Sequence, residues 1–113
     1  MSIYHELTAG DRARALERAV EERRARAAAL AALRRGTADP VAALGRRDRT
    51  WRRIPVRLYL RALNGVGPAT ADRAMRELRI AGNRRMGGLG ARQRERLAAW
   101  VSERIGGDAD VRG

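Results

Sequence analysis

Leu63-Asn64-Gly65-Val66-Gly67-Pro68-Ala69-Thr70-Ala71 sets two glycines one residue apart between two apolar-periodic segments. Leu60 and Leu63 close the first segment, and Ala71, Met75 and Leu78 mark one face of the second. Glycine opens backbone conformations that a Cβ forbids and lets the chain approach another molecule closely. Pro68 suits the first turn of a helix, where its missing N–H leaves nothing unpaired. The stretch reads as helix, tight turn, helix. The free N–H groups at the second helix start, Ala69 among them, point out of the turn with the positive end of the helix dipole behind them, an arrangement that receives a phosphate.

Outward from the turn, the chain reads as all-α: a long N-terminal helix packed on a compact domain of short helices. Residues 1–7 form a lead-in. Thr8 and Asp11 have capping-box spacing, and the following run of Ala, Leu, Glu and Arg predicts a helix to Arg35, ended by Gly36. Such a helix is roughly 40 Å long. Its expected buried face carries Leu16, Ala19, Val20, Ala27 and Leu30, and Glu22 with Arg26 has i,i+4 spacing. Asp39-Pro40 reads as N-cap and first residue of a short helix over Val41 to Leu44, stopped by Gly45. Arg46 to Arg53 reads as a basic loop around Trp51. A helix from near Pro55, with Val56, Leu60 and Leu63 on one face, leads to the turn. The helix after it runs from Pro68 to Arg79. A Gly-rich connection over 81–90 carries Arg84 and Arg85. Ala91 to Ile105 is the last helix, with Leu97, Trp100, Val101 and Ile105 inward. The organisation is thus a lead-in over 1–7, a long helix over 8–36, a helical domain over 37–105 and a disordered tail over 106–113.

Composition points to a polyanion. Among 113 residues the formal net charge is +12, and all 25 basic residues are Arg. Arg grips phosphate with a two-pronged fork and stays charged at every physiological pH. A small, strongly basic domain is most simply a nucleic-acid binder. With no Cys, disulfides and thiolate metal sites are excluded. No apolar run approaches about 18 residues and no signal-peptide pattern appears, so the expected compartment is the cytoplasm and no membrane contact is expected. One His and two Ser make a nucleophilic triad unsupported. The chain is not expected to be an enzyme; no cofactor, metal or small-molecule substrate is expected.

The C-terminal half resembles the helix-two-turn-helix DNA-binding module, through Leu63 to Gly67, Met75 to Ile80, Asn83 to Gly90 and Gln93. The N-terminal half, through Leu7-Thr8, Arg12-Ala13, Ala15-Leu16-Glu17, Arg23-Arg24 and Arg26-Ala27, is similar at the same spacing to the actinobacterial integration host factor family. That resemblance implies a monomeric nucleoid-associated protein that binds double-stranded DNA with little sequence preference, bends or constrains it, and affects supercoiling and chromosome compaction. It implies a phosphate site at Gly65, Val66 and Gly67, and phosphate contacts from Arg84 and Arg85. The chain departs from the family at Asn64, where a Pro is usual, and at Pro68, Thr70 and Asp72, where cations are usual. Of the arginines after the turn, Arg73 and Arg76 could restore that charge. The loop Arg46, Arg47, Arg49, Arg52 and Arg53 is more basic than expected for the family and forms a rival DNA contact. Two candidate surfaces result: the turn with Arg84 and Arg85, and the Arg46–Arg53 loop.

Trp51 could stack on a base, but packing is the favoured role, and Trp100 lies on an apolar helical face. His5 carries no expected function. A related helix-two-turn-helix occurs in a small-subunit ribosomal protein, so RNA or ribosome binding is the alternative to DNA; a protein-interaction module is the third reading.

Overall fold

The computed structural model describes residues 8–112, with side chains through 105; the lead-in over 1–7, with His5, and Gly113 lie outside the described residues. The regular structure is helical throughout: α1 Ala9–Arg35, α2 Pro40–Ala43, α3 Arg49–Arg52, α4 Val56–Ala62, α5 Pro68–Glu77 and α6 Ala91–Arg112, with a 3-10 turn over Met86–Gly88. The one extended pairing among the described residues is an isolated antiparallel bridge between Pro55 and Arg85.

Cap chemistry sets the ends of α1. Thr8 accepts a hydrogen bond from the Asp11 N–H at 3.0 Å, and Asp11 accepts one from the Thr8 N–H at 3.2 Å. Gly36 closes the helix in the left-handed region at φ 75°. Between these caps the expected buried face is wrong at its N-terminal end. Leu16 is 64% exposed, and Ala27 is also exposed. Ala19 and Val20 are half-buried, and burial is complete only at Leu30 and Leu33. The reason is reach: α1 packs on α3 and α4 near its C-terminal half, and its first turns run beyond the body of a molecule 66 × 27 × 25 Å in extent. Glu22 is likewise not paired with Arg26; tertiary folding brings Arg53 and Arg49 to it instead.

Asp39 caps α2 through the Val41 N–H at 2.9 Å, with Pro40 in the first turn as expected. The Arg46–Arg53 segment is not a plain loop. Asp48 caps a one-turn helix, α3, by accepting from the Trp51 N–H at 3.2 Å. That turn rotates Trp51 into the core, where it is 1% exposed and meets Tyr59 edge-to-face at 5.8 Å between ring centroids. Ile54, Val56, Leu60, Ala71, Leu97 and Val101 complete the centre, each fully buried. Burying an aliphatic side chain of this size stabilises by about 1.5–3 kcal/mol. The α4–α5 hairpin and α6 therefore share one core. In α6, Leu97 and Val101 are buried as expected, and Trp100 packs on the core's edge. Ile105 does not face inward: it is 45% exposed. Helical backbone continues past it to Arg112, beyond the end expected at Ile105; Gly106 and Gly107 weaken a helix without breaking it as Pro would.

Tyr59 ties the first half of the chain to the hairpin. Its hydroxyl donates to the Pro40 carbonyl at 2.7 Å. Burial pushes the phenol upward, and the nearby Asp39 charge adds to the shift. A folded-state pKa above the unfolded value near 10 gives stability that is whole below about pH 10 and lost as pH rises further. Tyr59→Phe removes this alkaline loss and leaves the Pro40 carbonyl unpaired, so stability at neutral pH falls by about 1–3 kcal/mol. Urea melts at pH 7 and pH 11 check both effects. Equal pH dependence in the two proteins would count against the assignment.

Candidate nucleic-acid interface

At the turn between α4 and α5, Gly65 sits at φ 80°, a left-handed conformation that glycine adopts without strain. The Val66 N–H donates back to the Leu63 carbonyl at 3.1 Å, and the Val66 side chain is buried. Val66 is an anchor; its N–H is already spent inside the turn. Gly67 has an ordinary extended conformation, φ −85° and ψ −179°, and a Cβ there would meet nothing within 4 Å. The backbone thus has no need of glycine at 67; what the missing side chain leaves is open space over the helix start. Pro68 opens α5, and the N-cap has no side-chain partner. Among the described residues, the N–H groups of Gly67, Ala69 and Thr70 have no hydrogen-bond partner, so three donors stand at the positive end of the helix dipole.

Arg84 and Arg85 do not sit beside this turn. The Val56 N–H donates to the Arg84 carbonyl at 2.9 Å, and the Met86 N–H donates to the Ile54 carbonyl at 2.8 Å. These bonds place the paired arginines at the start of α4, whereas the turn follows its end. Seven residues of helix put about 10 Å between the two. The arginine pair belongs instead with the Arg46–Arg53 segment. Gly87 makes this possible: a Cβ there would lie 2.8 Å from the Arg52 Cβ and 3.0 Å from its carbonyl oxygen. The Arg52 guanidinium donates to the Gly87 carbonyl at 3.4 Å, and Arg84 donates to the Gly88 carbonyl at 3.1 Å.

The remaining candidate residues divide by commitment. Arg46 is held at Asp48, 2.7 Å away, with its guanidinium 5.1 Å above the Trp51 ring. Partial burial raises the Asp48 carboxyl, but hydrogen bonds from Arg46 and the Trp51 N–H outweigh it and hold the group below its ordinary value. Arg53 pairs with Glu22 at 3.2 Å. Arg47 and Arg73 are exposed and unpaired among the described residues. Arg85 is exposed and lines a groove with Arg23 and Arg26 of α1. Sequence reasoning gave those two no site role; their spacing on one face of α1 was the available signal. Asp72, a departure after the turn, is paired with Arg57 at 3.1 Å, so its carboxylate has a cation of its own beside it.

Residues 33–100 match the S13-like H2TH domain family. Integration host factor of Mycobacterium tuberculosis is 42% identical over 94 residues, covering 81% of this chain and 90% of that protein. The chain belongs to the actinobacterial integration host factor family. The integration host factor of Mycolicibacterium smegmatis matches at the same identity and coverage. A solved structure of sIHF bound to an 8bp palindromic DNA matches at TM-score 0.71 and 30% identity, over 74% of this chain and 97% of that one. The family match over residues 33–100 takes in the α4–α5 hairpin with its two-glycine turn. Among the described residues, no helix is long and apolar enough to cross a membrane.

Proposed function

We propose that this integration host factor family member is a non-enzymatic, nucleoid-associated architectural protein. It binds double-stranded DNA through the phosphate backbone with little sequence preference. The observation that carries the reading is the likeness to a DNA-bound relative across nearly all of that relative's length, in a chain with net charge +12. Contacts to phosphate position a protein without reading sequence, and guanidinium groups with backbone N–H donors are what both candidate surfaces offer. Duplex DNA is favoured over RNA by the bound polymer of that relative; competition between duplex DNA and duplex RNA across a salt series tests the choice. Preferential retention by RNA would move the protein to the ribosomal reading.

The surfaces are the free N–H groups of Gly67, Ala69 and Thr70, and, at the other end of α4, Arg85 with Arg47, Arg52 and Arg53. A spacing of about 10 Å is on the order of a groove width in B-DNA, so one duplex can meet both ends of α4. Holding DNA at two points favours bending, at a deformation cost on the order of 1–6 kcal/mol. Ligase-mediated circularisation of short fragments reads it; unchanged circle yield with no bridging in single-molecule images would sink the idea.

Gly67→Asp places a carboxylate in the open space over the α5 start without steric strain. Like charges brought together at an interface cost several kcal/mol, so affinity falls about tenfold or more while circular dichroism stays unchanged. Arg85→Ala weakens binding to all sequences alike and flattens the salt slope by roughly 1. Arg84→Ala has a mixed effect because its guanidinium holds the Gly88 carbonyl. If Gly67→Asp binds normally while neutralising Arg47, Arg52 and Arg53 abolishes binding, the Arg46–Arg53 segment has taken over the family's contact.

A further inference from the structure

Arg85 opens onto a groove of about 310 Å3 whose walls also carry Arg23 and Arg26 of α1, and Arg49 and Arg53 from α3 and its C-cap. One carboxylate, Glu22, lies among these five arginines. A single Glu22 oxygen, Oε1, is 3.2 Å from the Arg53 guanidinium and 3.8 Å from that of Arg49. Two guanidinium groups from one segment thus converge on one anionic oxygen, and guanidinium is the side-chain group best suited to an oxyanion. Arg23, Arg26 and Arg85 have no carboxylate within 4.0 Å among the described residues. The pairs Glu22 makes are half-exposed at Arg53 and more exposed at Arg49, and are therefore weakly held. A doubly or multiply charged oxyanion competes well against them.

We propose that this groove is a phosphate site in which the Glu22 carboxylate is the resident anion, displaced when a phosphate enters. The volume lies at the small end of ligand sites and suits a phosphate group or a short polyphosphate chain. A DNA strand and a free polyphosphate present the same oxyanion, and the experiment separates them. The DNA arm rests on the proposed function; the polyphosphate arm stands without it.

Glu22→Gln keeps the side chain's shape and removes its charge. Glu21→Gln changes the net charge equally from an exposed position outside the groove. Calorimetric titration with inorganic tripolyphosphate, and anisotropy with a duplex of about 20 base pairs at low salt, are run on the parent and both variants. Glu22→Gln binds tripolyphosphate about fivefold more tightly than the parent, and Glu21→Gln differs by less than about twofold, since its carboxylate sits in solvent outside the groove, where water weakens its interaction with the bound anion. Adding Arg53→Gln to Glu22→Gln erases the gain. If the site takes a DNA strand, duplex affinity rises too and the salt slope steepens by roughly 1. A gain with tripolyphosphate alone assigns the groove to free polyphosphate. Equal responses of Glu22→Gln and Glu21→Gln to both ligands would overturn the proposal. A parent that folds and takes up tripolyphosphate but ignores duplex would defeat the DNA reading and leave the groove standing. Circular dichroism monitors folding, and Glu22→Ala, a strong helix former at that position, repeats the test with a second side chain.

Discussion

Raising salt from about 50 to about 200 mM lowers affinity for duplex DNA roughly 500-fold. The number follows from counterion release. Each neutralised phosphate frees condensed cations, and log K falls against log salt with a slope of roughly −0.9 per phosphate. If the proposed contacts Arg47, Arg52, Arg53 and Arg85, with Arg73 after the turn, neutralise about five phosphates, the slope is near −4.5. The free N–H groups of Gly67, Ala69 and Thr70 add affinity and no counterion displacement of their own. A gel-shift or anisotropy series at several salt concentrations measures the slope. A response below about −1 in magnitude would mean that shape or apolar contact, not phosphate charge, dominates binding.

Trp51→Ala costs about 3–5 kcal/mol of folding stability. Trp51 is 1% exposed and packs edge-on against Tyr59. Its removal leaves a void between α3 and α4 that the surrounding side chains fill only in part. Against a total of about 5–15 kcal/mol for a domain, the variant is largely unfolded in mild urea. Trp51→Phe separates packing from chemistry. The Trp51 indole N–H is buried with no hydrogen-bond partner, so the phenyl ring loses area but also removes an unpaired donor, and the two effects partly offset. Chemical denaturation measures both variants. Trp51→Phe binds DNA as the parent does; a folded Trp51→Phe protein with lost DNA binding would mean that the ring contacts a base after all.

Elements bounded by strong local chemistry were readable from the chain. Thr8 with Asp11, Gly36, and Asp39 with Pro40 each carry a cap whose partners lie within a few residues, so α1 and α2 follow from short-range geometry alone. The α4–α5 hairpin follows from Gly65 and Pro68. What failed depends on contacts made at long range. An Ala-rich helix such as α1 has apolar atoms on every side, and only the position of α3 and α4 decides that Leu30 is buried and Leu16 is not. Asp48 is the one carboxylate in the Arg46–Arg53 run; its capping bond to the Trp51 N–H makes part of that run a helix and turns Trp51 inward. The candidate site divides the same way. The turn was visible at Gly65 to Gly67, though Val66 turned out to be spent as an anchor. That Arg85 faces Arg53 and α1 rather than the turn depends on the bridge between Pro55 and Arg85, which leaves no mark in local sequence. Glu22 shows the same competition: an i,i+4 partner was four residues away, and a partner 31 residues along the chain took its place.

The outlying turns of α1 make this a poor object for size calibration. Its radius of gyration is 17.5 Å, against roughly 13 Å for a compact chain of this length. A single copy tumbles slowly and leaves a gel-filtration column ahead of round standards of its own 12.5 kDa mass. Read from elution volume alone, one chain would pass for a dimer. Light scattering, which weighs rather than measures, is the technique that counts its copies correctly.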